Sequence, residues 1–130
     1  MADTLHFSLV SPARELFSGE VDQVDLPGTE GNFGVLPDHA PFMAAIRTGV
    51  MTVFSGGEQM RYFVQGGFAD VTPAGLTVLA ERALPFEALN AADLEAEIVR
   101  VEATLDGLDG DDAVTARQDV NGLRETLALT

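Results

Sequence analysis

The sequence predicts a mainly β chain with a helical end: an N-terminal antiparallel β-sandwich followed by a C-terminal antiparallel two-helix hairpin. Before residue 85, short runs of strand-forming residues recur about every ten residues with turn signals between them, a pattern typical of sandwiches and barrels. After Pro85, apolar residues recur every three or four positions, which is the period of a helix. We therefore expect a sandwich domain over residues 1–84 and a helical hairpin over residues 85–130.

Alternating hydrophobicity places the first strands. Apolar and polar residues alternate over residues 5–9, which predicts a half-buried strand ended by Ser11-Pro12. Residues 21–26 almost alternate, but one residue is out of step near Asp22-Gln23. A β-bulge and a wide turn explain that irregularity equally well.

Glycine pairs punctuate the later strands. Residues 50–54 are rich in strand formers, and Gly56-Gly57 predicts a hairpin turn into a strand over residues 59–65. We expect Gly66-Gly67 to end that strand, because glycine weakens a strand interior. Residues 76–80 form the last predicted strand.

Two apolar stripes predict the helices. The first contains Leu94, Ile98, Val101 and Leu105, and the second contains Ala113, Ala116, Val120, Leu123 and Leu127. Asn90 can cap the first helix, with Asp93 in its first turn. Residues 106–110 read as a break, and Asp111 or Asp112 can cap the second helix. Two helices with a short break between them predict an antiparallel hairpin.

The composition excludes several classes of function. Asp and Glu number 21 against 7 Lys and Arg, all of them arginine, for a net charge of −14. Such a surface argues against binding nucleic acid or anionic lipid. The chain has no cysteine, no apolar run near the ~18–20 residues that span a bilayer, and no signal-peptide pattern in MADTLHF. We therefore expect a cytosolic protein without direct membrane insertion, attached to a membrane only through another protein.

The chain shows little that could carry catalysis. His39 follows Asp38 and could act as an oriented base, but no motif supplies a nucleophile. Acidic residues cluster over 106–112, yet the order of a calcium loop and its closing glutamate are missing. We expect no enzyme activity, no metal and no cofactor. The alternatives left open are a small hydrolase or isomerase using His39, a sugar- or small-molecule-binding sandwich, and a stand-alone interaction module.

The segment most restricted in backbone conformation is residues 28–49, GTEGNFGVLPDHAPFMAAIRTG. It holds four glycines and two prolines. A structured connection between strands and a functional loop both explain this density of conformational restriction. Gly31 and Gly34 are expected to hold backbone shapes that a side chain would strain.

The same segment carries a family resemblance. EGNFGVLPDHAP, followed by Ala45, Ile46 and Gly49, resembles the signature of the epsilon subunit of F-type ATP synthases, called delta in mitochondria. The similarity continues in SPARELFSGEVDQVDLPG at 11–28, in QGGFADVTPAGLTVLA at 65–80 and in the helical tail. It thus covers almost the whole chain, with the same order and spacing.

The resemblance implies a non-catalytic subunit at the foot of the rotating central stalk, on the cytoplasmic face of the bacterial inner membrane. Such a subunit binds the gamma subunit and the ring of c subunits, and its C-terminal helices are the part that can reach the alpha/beta catalytic head. Matching by residue assigns Thr29, Glu30, Gly31 and Asn32 to the c ring, and Ser11, His39, Ala44 and Gln65 to gamma.

The tail departs from the family pattern in one place. Some members bind ATP through a motif of the form Ile/Leu-Asp-x-x-Arg-Ala, and the matching stretch here has Asn90 for the aspartate and Asp93 for the arginine. An acidic residue where a phosphate-facing arginine belongs argues against ATP binding there. We also expect weak or absent inhibition of ATP hydrolysis by the tail.

Overall fold

The computed structural model describes residues 4–130. Residues 1–3, the start of the predicted sandwich domain and of the stretch MADTLHF, lie outside the described part. The strands are β1 (Leu5–Val10), β2 (Glu15–Val21), β3 (Gln23–Gly28), β4 (Gly31–Val35), β5 (Phe42–Ile46), β6 (Gly49–Ser55), β7 (Glu58–Thr72) and β8 (Gly75–Pro85). A 3₁₀ turn (Phe86–Ala88) and the helices α1 (Ala91–Leu105) and α2 (Gly110–Leu129) follow.

The predicted sandwich is confirmed, and its two layers share the long strands. The strand order is β2-β1-β8-β7-β5-β3-β4, and β6 pairs with both β3 and β7. Among residues 4–130, neighbouring strands pair antiparallel except β1 and β8, which pair parallel. The inward side chains of both layers form one core, led by Phe7, Leu9, Leu26, Met51 and Leu76.

Strand β7 passes through both layers, so the prediction that Gly66-Gly67 would end a strand is wrong. Before these glycines β7 pairs with β6, and after them it pairs with β5. Gly66 and Gly67 have φ of +67° and +130°, and a Cβ at Gly67 would overlap the carbonyl oxygen of Leu79. Glycine here bends the strand and does not terminate it.

The irregularity at Asp22-Gln23 is a change of partner strand. Strand β2 pairs with β1, whereas β3 pairs with β4 and β6, and Asp22 is the single residue between them. Its amide donates to the Phe54 carbonyl at 2.7 Å, and its carboxylate accepts from the Gly56 amide at 2.9 Å. These bonds fix the crossing without either a bulge or a wide turn.

Most of the glycine-rich segment 28–49 is strand. It contains β4 and β5, so only the two-residue turn after Gly28, the turn over residues 36–41 and Arg47-Thr48 lie outside strands. Both explanations assumed one long loop between two strands, and that assumption is wrong. The segment instead presents three short connections held by neighbouring strands.

The helical hairpin forms as predicted, with one correction at its second cap. Asn90 caps α1 by accepting from the Ala92 amide at 2.8 Å. Helix α2 begins earlier than expected because Asp109 takes the extended backbone of an N-cap. Asp111 and Asp112 therefore lie in the first turn, where their charge faces the amide end of the helix.

The hairpin lies against the sandwich over a second apolar cluster. Phe63, on the outer face of β7, is fully buried by it. The other buried members of the cluster are Leu94, Ile98, Val120 and Leu123, all from the two predicted stripes. The stripes thus pack against one another and against the sheet.

Candidate functional site

The four residues assigned to the c ring form a tight turn at one tip of the sandwich. Strand β3 ends at Gly28, β4 begins at Gly31, and Thr29-Glu30 is the two-residue connection. All four residues from Thr29 to Asn32 are exposed. Gly31 has φ of +133°, which confirms the expectation that a side chain there would be strained. Gly34 differs: its backbone is ordinary, and an added Cβ would lie 2.9 Å from the Asp25 carboxylate.

Backbone hydrogen bonds join this turn to the neighbouring β5–β6 connection. The Thr29 amide donates to the Ala45 carbonyl at 3.0 Å. In return, the Arg47 amide donates to the Pro27 carbonyl at 2.9 Å. The two connections therefore behave as one unit at the tip.

Helix α2 closes over the same tip. The Gln118 side-chain amide donates to the Thr29 carbonyl at 2.8 Å. The Arg47 guanidinium donates to the Asn32 side-chain oxygen at 2.8 Å and to the Glu125 carboxylate at 3.3 Å. Arg47 thus connects the turn and the helix through one side chain.

Thr48 contacts α2 directly. Its side chain is buried, and its hydroxyl donates to the Asp119 carboxylate. A Cβ at Gly122 would overlap the Thr48 carbonyl oxygen. Sequence reasoning missed Arg47, Thr48 and Gly122 because their contacts between α2 and the sandwich span more than 70 residues and share no motif.

The four residues assigned to gamma occupy separate positions. Ser11 closes the β1–β2 turn, where its amide and hydroxyl both donate to the Arg14 carbonyl. Gln65 accepts from the Arg82 guanidinium at 2.9 Å beside the β7 bend. Ala44 is half-buried in β5 and is directly opposite the buried Ala69. Its side chain therefore points toward the core side of the sheet.

His39 lies in the exposed turn over residues 36–41. Its Nδ1 donates to the Ala40 carbonyl at 2.9 Å, and its ring packs against Phe42 with centroids 5.0 Å apart. The hydrogen-bond partner is therefore a backbone carbonyl and not the carboxylate of Asp38. This arrangement gives the hypothesis of a base at His39 no support. His39 and His6 line a cleft of about 600 Å³ between this turn and the β7–β8 turn.

A row of apolar side chains crosses the outer face of the sheet, over strands β5, β7, β8 and β1. Leu79 is paired with Val10 and Phe68, and Phe68 is paired with Ala45, so these side chains share one face. Met43, two residues before Ala45, extends the row. Met43, Phe68 and Leu79 are each more than half exposed. Sequence reasoning missed this row because each strand contributes only one or two of its members.

Comparison with known proteins identifies the family. The family described as ATP synthase, Delta/Epsilon chain, beta-sandwich domain matches residues 4–86. The ATP synthase epsilon chain of Hyphomonas neptunium is 52% identical over 134 aligned residues, which cover 98% of this chain and 99% of that one. The chain belongs to the ATP synthase epsilon chain family. The epsilon chain of Maricaulis maris is 51% identical, with 99% and 90% of the two chains covered.

Solved structures show the same fold at low identity. A chain of the Euglena gracilis mitochondrial ATP synthase, from a structure of its OSCP, F1 and c-ring assembly, aligns with a TM-score of 0.80 at 20% identity, covering 99% of this chain and 82% of that one. A chain of the Tetrahymena thermophila mitochondrial ATP synthase central stalk and c ring aligns with a TM-score of 0.70 at 11% identity, covering 95% and 96%. Both alignments extend over the sandwich and the hairpin.

Membership in the epsilon chain family confirms the prediction of a non-catalytic subunit. Within residues 4–130, no group of three or more His, Asp or Glu side chains is placed to hold a metal ion. None of the helices in that range is both long and apolar enough to cross a membrane.

The stretch matched above to the ATP-binding motif implied by the resemblance caps a helix here. The Asn90 side-chain oxygen accepts the hydrogen bond that caps α1, and Asp93 lies in the first turn of that helix. Both residues therefore stabilise the N-terminus of α1, and the acidic Asp93 offers no donor to a phosphate.

Proposed function

We propose that this chain is a rotor subunit of a proton-transporting F-type ATP synthase, located at the cytoplasmic face of the bacterial inner membrane. In this role its sandwich binds the gamma subunit, and the turn Thr29–Asn32 contacts the c ring, so that proton flow is coupled to ATP synthesis. The observation that carries the proposal is the exposed apolar row Met43–Ala45–Phe68–Leu79–Val10, beside the positions that match gamma-facing residues of the family.

The apolar row has the properties of a protein interface. Exposed fractions of 65% for Met43 and 54% for both Phe68 and Leu79 leave large side chains in water on a chain whose net charge is −14. Contiguous exposed apolar surface of this kind marks interaction sites on soluble proteins. Ser11 follows Val10, so one of the predicted gamma-facing residues adjoins the row in sequence. The Ala44 side chain lies on the other face of β5, opposite Ala69, and adds no support.

The turn has the properties of a contact that transmits force. Its exposed part is short and polar, and backbone bonds and side chains from α2 hold it on two sides. A contact residue held by a packed scaffold keeps its geometry under strain better than one on a free loop. Glu30 is the exposed charge at its tip.

The proposal is tested by measuring gamma binding with charge inserted into the apolar row. Phe68→Glu and Leu79→Glu should each weaken the affinity for a purified gamma subunit by about thirtyfold or more, since loss of a central apolar anchor costs about 2 kcal/mol or above. Val99→Glu and Val114→Glu are matched controls, because these valines are 66% and 61% exposed but lie on the hairpin. The controls should bind gamma as the unaltered chain does.

Size-exclusion chromatography gives the first readout and calorimetry the affinity. Co-migration of the unaltered chain with gamma, lost in the row variants alone, supports the proposal. An unaltered chain that stays monomeric beside gamma would instead favour the stand-alone interaction or ligand-binding module.

A further inference from the structure

The turn Thr29–Asn32 and the helical hairpin share contacts that neither element needs for its own fold. Strands β3 and β4 already form a regular ladder from Val24–Val35 to Gly28–Gly31. The hairpin already packs against Phe63 through its own apolar residues, and this cluster is its seat on the sandwich. The bonds from Gln118 to Thr29, and from Arg47 to Asn32 and Glu125, are additional to both.

Arg47 is placed to respond to both elements at once. Only 17% of its side chain is exposed, so its guanidinium depends on protein partners for its hydrogen bonds. One terminal nitrogen bonds Asn32, and the other bonds Glu125 and the Thr48 carbonyl. When the hairpin leaves, Arg47 keeps the Thr48 carbonyl but loses its charged partner Glu125, so its hold on the Asn32 side chain weakens.

We infer that Arg47 and Gln118 make the turn Thr29–Asn32 a sensor of hairpin docking. With the hairpin seated, the Thr29 carbonyl and the Asn32 side chain are both engaged and the turn holds one shape. With the hairpin detached, the Thr29 carbonyl is released, the hold on the Asn32 side chain weakens and the turn becomes mobile. Arg47 is thus a positioning residue, which acts on the turn and not on the ring itself.

Linkage makes the relationship reciprocal. A partner that prefers the free Thr29 carbonyl or a displaced Asn32 binds the detached form better, and so promotes detachment by the same factor. A partner that prefers the held turn keeps the hairpin seated. The identity of that partner as the c ring rests on the proposed function, whereas the coupling between turn and hairpin belongs to the free chain.

The experiment uses a nitroxide label on the full chain, which contains no cysteine that would compete for it. Glu30→Cys places the label on the exposed turn, and Glu58→Cys places a control label at the start of β7, away from α2. Leu123→Asp should detach the hairpin, because it places a charge at a fully buried position of the apolar cluster. Position 123 makes no contact with the turn among the hydrogen bonds described above. Increased trypsin cleavage at Arg117 and Arg124 verifies the detachment.

A second variant removes the connection and leaves the seat intact. Arg47→Met with Gln118→Ala deletes the donors to Asn32, Glu125 and Thr29 while Leu123 stays buried. It also keeps the test decisive if Leu123→Asp fails to fold.

The expected result is a shift of the turn label from an immobilised to a mobile line shape in both variants, about equal in size, with the control label unchanged. Adding Leu123→Asp to the double variant should then produce no further shift. A turn label that stays immobilised in the double variant overturns the inference. So does an immobilised label on a chain whose hairpin trypsin shows to be detached. Neither result says anything about gamma binding, so the experiment on gamma binding tests the proposed function separately.

Discussion

Gly122 of α2 and Thr48 of the β5–β6 connection lie so close together that any side chain at position 122 would force one of them to move. A Cβ there would overlap the Thr48 carbonyl oxygen, and the Thr48 hydroxyl is already bonded to Asp119 one turn away. The hairpin therefore reaches its seat only because one face of α2 lacks a side chain at this point.

Gly122→Ala should weaken the docking of the hairpin. Alanine favours the helix itself by about 1 kcal/mol, but the overlap with a fixed backbone should cost about 1–3 kcal/mol in docking. Amide hydrogen exchange along α2 should therefore accelerate, while that of β3 and β6 stays unchanged. Gly107→Ala is the matched control, because its added Cβ would lie 3.8 Å from the nearest atom. Equal exchange in both variants would contradict the close contact.

Tyr62 should make stability depend on alkaline pH. Burial, assisted by the negative charge of Glu87, raises the pKa of its hydroxyl above the usual value of about 10. Since the folded chain then holds this proton more tightly than the unfolded chain, the contribution is complete below pH ~10 and is lost as pH rises through the folded-state pKa. The melting temperature should fall over that window, and less so in Tyr62→Phe.

The chain is well suited to measuring that effect. Tyr62 is its only tyrosine, and it contains neither cysteine nor lysine, the other side chains that titrate nearby. Ultraviolet absorbance of tyrosinate therefore reports Tyr62 alone. A midpoint at the value of free tyrosine would show that burial does not perturb this group.

Gly31 in the turn and Gly34 in β4 should matter more for coupling than for the fold. Gly31→Val forces a branched side chain into a backbone with φ of +133°, at a cost of about 1–3 kcal/mol, while its Cβ meets open space. Gly34→Val instead collides with the Asp25 carboxylate. The pair should lower proton-coupled ATP synthesis in reconstituted membranes by more than the loss of thermal stability explains. Gly57→Val is the control, because Gly57 also has a positive φ, +82°, but lies in the β6–β7 turn. It should leave coupling intact.

The sequence predicted elements wherever local pattern decides them, as in the alternation over residues 5–9 and the stripe from Leu94 to Leu105. It failed where tertiary partners decide. Gly66-Gly67 looks like a strand end in isolation, yet pairing with β5 beyond the bend carries β7 onward. The resemblance located the turn Thr29–Asn32, but its bonds to Gln118 and Arg47 span 89 and 15 residues and leave no local trace.

A chain of residues 1–84 should fold and bind gamma with at most a modest loss of affinity, which would support the proposed boundary at Pro85. The apolar row and Ser11, His39, Ala44 and Gln65 all precede that boundary. Removing the hairpin uncovers Phe63, so the melting temperature should fall and the shortened chain should tend to associate. Phe63→Thr should restore a monomer. A folded, monomeric 1–84 chain that does not bind gamma would refute the prediction.

Removal of the hairpin should change ATP hydrolysis little. For the tail to inhibit, it must leave the sandwich and meet an acidic segment of the catalytic head, as the family resemblance implies. Residues 85–130 contain 11 acidic and 3 basic residues, a net charge of −8. Of those three arginines, Arg100 pairs with Glu97 and Arg124 pairs with Glu102 within the hairpin itself.

An extended tail would therefore bring like charges together, and the repulsion would grow as water is excluded from the contact. Docking on Phe63, Thr48 and Arg47 opposes extension further. We expect hydrolysis by the catalytic complex to differ by less than about twofold, or 0.4 kcal/mol in the barrier, between the full chain and residues 1–84. The measurement is the steady-state rate at matched occupancy of the subunit. A several-fold increase on removing the tail would show that the hairpin extends and inhibits despite its charge.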